Sequence, residues 1–557
     1  MRIWIKHKNF MHKNIYQSII PLIIGLSVVL GFYLGKHFDR NEFIQNNVQN
    51  SPVSHLKNLP YIIQLIENYY VDTVNVADFL ETGINDMLAE LDPHSTYIPA
   101  RDFNRVNESL EGNFQGIGVE FRMFKDTLLI TRVIPGGPSE KAGLRSLDRI
   151  IKVEEMDIAG KNISSDSIVK ILRGPANSVV NISVYRKSEN KVFPVTIRRG
   201  VIPIKSINIY EMIDSKTGYI KIDRFSRNTY FEFLDAMSHL EQNGMQRLIL
   251  DLRDNGGGYL NAATAIANEF LPKGKLIVFT KGKARKRENY FSDKDGKYLK
   301  IPITVLINEN SASASEIVSG CLQDHDRAII IGRRSFGKGL VQEQFNLPDG
   351  SALRLTVARY FTPSGRFIQK PYSGKIEEYI TETYQRYYSG ELFHEDSVKT
   401  FDTTKYYSDC GRLLVGGGGI YPDIFVPADT SIFPSHLSRF VNFTLMQNFA
   451  IEYIESNYIR GVNDPDKIIA KFEEDPLKWK KWIDYNKNNG LEINYQTVLT
   501  LKDFYNQRIL NFMLRILKNE TDVFKYMMNS DNEVKKALEI LNKTKSGNPC
   551  EFPLLQN

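Results

Sequence analysis

Apolar residues change their spacing repeatedly along this chain, and each change marks a different kind of element. Between Lys13 and Lys36 no charged residue intervenes, and IYQSIIPLIIGLSVVLGFYL (15–34) is long enough to cross about 30 Å of hydrocarbon as a helix. Tyr61, Ile62, Leu65 and Ile66, then Phe79, Leu80, Ile84, Met87 and Leu88, recur at helical spacing. The Asp-Pro pair of LDPHSTYI (91–98) ends that pattern. From about 113 to 200 the period shortens. Runs such as VEFRM, TLLITRVI, RIIKVEEM, VVNISVYR and VFPVTIRR predict strands, with helices at Pro138–Ala142 and Ser165–Leu172 between them. From about 208 continuous apolar strands (GYIKI, RLILDL, PITVLIN, RAIIIG) alternate with helices predicted over Asn228–Asn243, Tyr259–Leu271 and from Ser313. Strands apolar on both faces with helical crossovers belong to an α/β unit whose sheet is covered on both sides. Beyond about 432 the pattern is helical again, over Phe440–Tyr458 and Leu501–Leu517.

These shifts divide the 557 residues into a basic N-terminus (1–14), an apolar span (15–34) and a tether with N-terminal helices (41–112). A β-rich unit (113–200), an α/β unit (208–428) and a helical extension (432–557) follow. Arg2, Lys6, Lys8 and Lys13 precede the span, against Lys36 and Arg40 after it, so the N-terminus is expected in the cytoplasm and the rest exported. No small-x-small site follows the span, which favours an uncleaved signal anchor in a bacterial inner membrane over a removed signal peptide. The bulk of the chain is then expected in the periplasm. Three scattered cysteines, Cys321, Cys410 and Cys550, do not suggest a disulfide framework, and Cys321 reads as a buried small hydrophobe. The net charge of +6 is spread along the chain, and Lys281–Arg287 reads as a solvated loop. Neither zinc-ligand spacing, nor a P-loop, nor an aromatic-and-basic nucleic-acid module is present, so no cofactor, metal or nucleic-acid partner is expected. The helical segment before residue 91 offers a face for a homodimer.

Candidate chemistry concentrates at strand ends of the α/β unit. LDLRDNGGGYL (250–260) places three glycines between a strand and a helix, which suits either a tight turn or amides converging on an anion. In NENSASASEIVSG (308–320), Ser313 and Glu316 fit a capping box, yet a serine at a helix start also lies beside an amide, that of Ala314, able to stabilise an oxyanion. A serine nucleophile needs a base. His325 is about 18 Å away along the helix, and His94, in the LDPHSTYI turn, has no evident partner. Lys338 in SFGKGLVQE (335–343) remains; burial would populate its neutral form, and Gln342, four residues on, could orient its amine. In the β-rich unit, FQGIGVEF (114–121) sets glycines before a strand. There loop amides of Gly116, Ile117, Gly118 and Val119 could take a peptide carboxylate while the strand edge pairs with the peptide.

Seven segments, LDPHSTYI, FQGIGVEF, LDLRDNGGGYL, SASASEI, SFGKGLVQ, YFTPSGRFIQ (360–369) and GGGGIYPDIFVP (416–427), resemble in order the C-terminal processing (tail-specific) serine peptidases. The 113–200 unit is similar to their permuted PDZ domain, though Leu147 stands where a Gly-Asp pair is usual and VEEMDI lacks the common Asn-Gly turn. The resemblance implies a crotonase-like α/β peptidase core with a PDZ domain; with the N-terminal helices and the helical C-terminal extension read from apolar spacing, a multidomain α/β protein is expected. It implies Ser313 as nucleophile, Lys338 as base and Gln342 as its orienter. The Ala314 amide and one from the glycine loop, Gly257 being the expected one, would form the oxyanion hole, although Gly256 replaces a frequent proline. Glu316 and Ser335 would support the site, and protein substrates with free apolar C-termini would be the partners. The rival reading is a non-catalytic PDZ scaffold that only holds protein tails. The insert at about 371–415 and the helical tail depart from the shortest family members.

Overall fold

The computed structural model describes residues 58–429, 440–456, 465–543 and 550. The predicted span 15–34 and its basic flank lie outside the described residues, and among the described residues no helix is long and apolar enough to cross a membrane. One compact unit ends at Ile84; the remainder of the chain forms the other. In the first, the helix Leu59–Tyr69 leaves Leu59, Tyr61, Ile62 and Leu65 exposed.

At the centre of the second unit is a six-stranded sheet in the order Ile209–Met212, Thr217–Lys221, Arg247–Asp251, Ile303–Ile307, Ile329–Gly332, Ile424–Phe425. The first pair is antiparallel and the rest parallel. Alternation along each strand sends side chains to both faces. Leu248 and Leu250 pack with the helices Thr229–Gln242, Leu260–Asn268 and Ala314–Asp324, whereas Ile249, Leu306, Ile329 and Ile331 face the other way. Val534, Ala537, Ile540 and Leu541 of the helix Asn532–Lys543 cover that second face. The continuous apolar strands therefore have the two covered faces they demand, and the second cover comes from the C-terminal extension.

A second sheet carries Thr96–Ile98, Ala352–Phe361, Leu276–Lys281 and Glu288–Phe291, with Leu340–Asn346 paired to Ala352–Phe361. The β-rich unit forms a separate sheet in the order Val119–Phe124, Thr127–Val133, Arg149–Val153, Val179–Arg186, Lys191–Arg198, and among the described residues one edge of Val119–Phe124 has no strand partner. The helix Ser165–Leu172, capped by the Ser164 hydroxyl, buries Ile168 and Leu172 against it. Leu147 sits at φ 70°, a conformation that favours glycine and costs a larger residue about 1–2 kcal/mol. Its side chain packs with Phe124, Leu129 and Ile451, the last from the extension helix Phe443–Ser456. The same junction holds ion pairs from Arg149 and Lys187 to Glu455. A leucine here thus fastens the β-rich unit to the extension.

Cys321 is buried and free, as its helical setting suggested. Cys410 and Cys550, by contrast, form a disulfide that joins the insert to the end of the extension. Sequence spacing gave no sign of it, because the partners lie 140 residues apart.

Candidate active site

Ser313 sits where the buried strand Ile303–Ile307 has ended and the helix Ala314–Asp324 begins. Its backbone is at φ 56° and ψ −110°, a rarely populated conformation for a residue with a side chain, costing about 1–3 kcal/mol and held by its surroundings. The Ser313 N–H donates to Glu316 Oε2 at 2.7 Å, and the Tyr360 hydroxyl donates to the Ser313 carbonyl at 3.1 Å. Ala314 is the first residue of the helix, so its N–H has no intrahelical acceptor. Among the described residues no other acceptor takes it.

The glycine loop lies directly against this serine. A Cβ on Gly257 would stand 2.7 Å from Ser313 Cβ, and one on Gly258 would stand 2.0 Å from the Phe225 carbonyl oxygen. Only glycine fits at either position. The Gly257 N–H, expected at the oxyanion, instead donates to Asn255 Oδ1 at 2.8 Å. Asn255 is fully buried, and its own carbonyl accepts from the Ala312 N–H and the Ser315 hydroxyl, lacing the glycine loop to the serine segment. Among the described residues the amides of Gly256 and Gly258 have no protein acceptor.

Glu316 is buried and accepts four hydrogen bonds: from the N–H groups of Ser313, Gly337 and Lys338 and from the Ser335 hydroxyl. Burial pushes its carboxyl above the usual range against the pull of those donors. One carboxylate thereby joins the serine helix to the lysine loop, and Ser335 also accepts from the Ile420 N–H at 2.6 Å. Lys338 Nζ donates to Gln342 Oε1 at 3.0 Å, a neutral partner. Surrounding protein lowers its pKa first by desolvation and then through the positive charge of Arg354. Ser313, Lys338, Gln342, Arg354 and Gly256–Gly258 line one cavity of about 1530 Å³. The same cavity reaches Phe114, Gln115 and Arg173 of the β-rich unit.

The two histidines fare differently. His325 caps the C-terminal end of the Ser313 helix, where its ring nitrogens lie 2.9 Å from Asp409 Oδ2 and 2.7 Å from the Leu276 carbonyl. His94 comes to the site after all, through its backbone: its carbonyl accepts from the Gln342 side-chain amide. Asp92 braces the turn by accepting from the N–H groups of His94 and Ser95 and from the hydroxyls of Ser95 and Thr356. Burial, aided by nearby Lys338, lowers the His94 pKa to about 4, so the ring is neutral at pH 7. LDPHSTYI carried this role; what sequence alone did not supply was the fold that brings residue 94 to residue 342.

Gly116 ends the strand Asn113–Gly116 and pairs with Gly200, while the carbonyls of Ile117 and Gly118 accept from Ser139 and Ile134. Ile117 is buried, and Val119 opens the edge strand. These four residues form one connection, apart from the Ser313 cluster.

The sequence model of peptidase family S41 matches residues 216–380, and that of the PDZ domain matches residues 115–197. A probable CtpA-like serine protease of Staphylococcus aureus (strain MRSA252) is 35% identical over 369 residues, spanning 66% of this chain and 71% of that one. The chain belongs to the C-terminal processing serine peptidases. Another member, the carboxy-terminal-processing protease of Bartonella bacilliformis, is 36% identical over 58% of this chain and 74% of its own. Among solved structures, the photosystem II D1 C-terminal processing protease is 27% identical over 55% of this chain and 88% of that one, with a TM-score of 0.32. The protein is therefore a serine-type peptidase with a PDZ domain.

Proposed function

We propose that this C-terminal processing peptidase is a membrane-anchored endopeptidase that takes protein C-termini on its PDZ domain and cuts with a Ser313–Lys338 dyad. The observation that carries the dyad is the setting of Lys338: desolvated, hydrogen-bonded to a neutral amide and lining the same cavity as Ser313. As Ser313 Oγ bonds to the scissile carbonyl carbon, its proton passes to Lys338 Nζ. Lys338 then protonates the leaving amine as the C–N bond breaks, and a water activated by the same amine releases the acyl group from Ser313. Gln342 holds the amine without adding charge. Ala314 supplies one oxyanion donor. We assign the second to the open amides of Gly256 and Gly258, with Gly257 as the wall against Ser313.

The unpaired edge of Val119–Phe124, next to the Gly116–Val119 connection, supports strand addition by a free apolar C-terminus. The apolar run 15–34 is the anchor, and the Cys410–Cys550 bridge suits the oxidising periplasm of a bacterium. The exposed apolar residues of Leu59–Tyr69 are the face on which a second copy would pair.

Cleavage of a peptide ending in a free apolar C-terminus by wild type, Ser313→Ala and Lys338→Ala over a pH series tests this reading. Both variants should fold and be inactive. Wild-type activity should rise through an ionisation well below the value of about 10.4 for a free lysine. A Lys338→Ala enzyme that keeps most of its activity removes the dyad, and a wild type that binds the peptide without cutting it is a scaffold.

A further inference from the structure

The insert at 371–415 contributes no group to the Ser313 cavity, yet its helix Ile376–Tyr388 is tied to the lysine loop at several points. Tyr379, Glu382 and Arg386 recur at i, i+3 and i+7, one face of that helix. Arg386 is 2% exposed, and its guanidinium donates to three consecutive carbonyls of the lysine loop: Arg334 at 3.1 Å, Ser335 at 2.9 Å and Phe336 at 3.1 Å. Its Nε donates to Glu382 at 2.8 Å. Burial raises the Glu382 carboxyl, but Arg386, Lys370 and Arg334 together bring it down to about 2, so it stays an anion and keeps the buried cation paired. A planar fork with five donors suits such a row of carbonyls, as a lysine does not.

Tyr379 makes the second tie. Its hydroxyl accepts from the Gln369 amide at 3.0 Å and lies 2.9 Å from His94 Nε2, to which it can give its own proton because that ring is neutral. Gln369 Oε1 in turn accepts from the Gly339 N–H at 2.8 Å, and the His94 carbonyl holds the Gln342 amide whose oxygen holds Lys338 Nζ.

We propose that the insert helix is the positioning element of the general base, with Arg386 fixing the backbone of the Lys338 loop and Tyr379 fixing the Gln342 that orients its amine. The inference rests on the reading of Lys338 as base. Both residues act through others and touch no substrate. The charged and titratable groups that face Lys338 are Glu316 from the serine helix, Arg354 from the adjacent strand, and Asp92 and His94 from the turn; none belongs to the insert. Loosening the loop therefore acts by admitting water to Lys338 and by misplacing its amine.

Two variants of the full chain, Arg386→Met and Tyr379→Phe, test the proposal by the pH dependence of kcat, with KM and thermal unfolding measured alongside. Arg386→Met should lower kcat by ~10²-fold, the scale of an ångström misplacement, with KM changed little. It should also move the rising limb to higher pH, as a better hydrated lysine holds its proton longer. Arg386→Lys should restore only part of this, and Tyr379→Phe should shift the limb in the same direction by less. If Arg386→Met does not fold, Tyr379→Phe decides alone. Variants that melt earlier but keep the wild-type kcat and limb overturn the proposal, since that is what a merely structural helix would give. An active Lys338→Ala control removes the base assignment itself. An inactive control beside unaffected insert variants leaves that assignment standing and sinks the positioning role.

Discussion

In the loop carrying Lys338, each N–H from Ser335 to Gly339 has a protein acceptor: the Ile420 carbonyl, the Ser311 carbonyl, Glu316 twice and Gln369. The carbonyls of residues 334–337 are taken as well, three by Arg386 and that of Gly337 by the Lys370 N–H. The loop on the other side of Ser313 follows another plan. Among the described residues, of the amides of Gly256, Gly257 and Gly258 only the middle one has a protein acceptor, Asn255 Oδ1. If Lys338 is the proton acceptor proposed above, it must be held dry and in place, which a fully satisfied backbone provides. Groups meant to receive a transient negative charge must keep their donors unspent until that charge appears. On the proposed roles, the difference between the loops is one between fixing a side chain and reserving a backbone.

The hardest way to break this contrast is to fill the reserved side. Gly257→Ala would set its Cβ 2.7 Å from Ser313 Cβ and 2.8 Å from the Ala312 carbonyl oxygen, at φ 97°. Backbone must move, and with it the open amides on either side. We expect kcat to fall by about 10²–10³, the cost of losing one oxyanion donor, with a smaller change in KM. Steady-state kinetics on a peptide substrate would measure it, and an enzyme within tenfold of wild type would show that the loop only turns the chain.

On the satisfied side the comparable change is Glu316→Gln. It keeps the shape but replaces one acceptor oxygen with an NH₂ facing N–H or O–H donors. Leaving such a buried donor unmatched costs about 1–3 kcal/mol. A lower unfolding midpoint in denaturant should therefore accompany a fall in kcat. The carboxylate also favours protonated Lys338, so among the surviving activity the rising pH limb should move down. Unchanged stability would mean that the four donors find water instead.

Much of this was legible in the sequence because the motifs are strand ends. LDLRDNGGGYL, SASASEI and SFGKGLVQ follow or end the apolar strands RLILDL, PITVLIN and RAIIIG, whose ends converge once they pair in parallel, and the resemblance to a known family supplied the roles that spacing left open. Helices around Ser165, Thr229 and Ala314 were equally plain from apolar spacing and caps. What escaped notice depends on distance along the chain. Arg386 and Tyr379 lie in the insert, where the sequence offered no motif, and nothing local says that 386 meets 335 or that 379 meets 94. Val534, Ala537, Ile540 and Leu541 of the last helix gave no hint that they cover the sheet, because an amphipathic stripe does not name the surface it packs on. The Gly257 assignment met the same limit from the other side: spacing puts three amides near Ser313, but which one is free depends on an Asn255 side chain two residues back.

The finest test of the contrast changes charge without touching either loop. Arg354 lines the cavity and donates to Asn107 and Gln344, and its positive charge is, after burial, the strongest influence lowering the Lys338 pKa. Replacing it with methionine removes a repulsion felt only by protonated Lys338. The folded-state pKa then rises toward the ordinary lysine value, and the neutral, active form appears at higher pH. In a cleft open to solvent the shift should be the smallest of these effects, because water screens the Arg354 charge. Its direction is opposite to that expected from Glu316→Gln, so the two variants bracket the wild-type limb when kcat is followed across pH. A limb that Arg354→Met leaves in place would belong to some other group, and the reserved amides would then be serving a base elsewhere in the cleft.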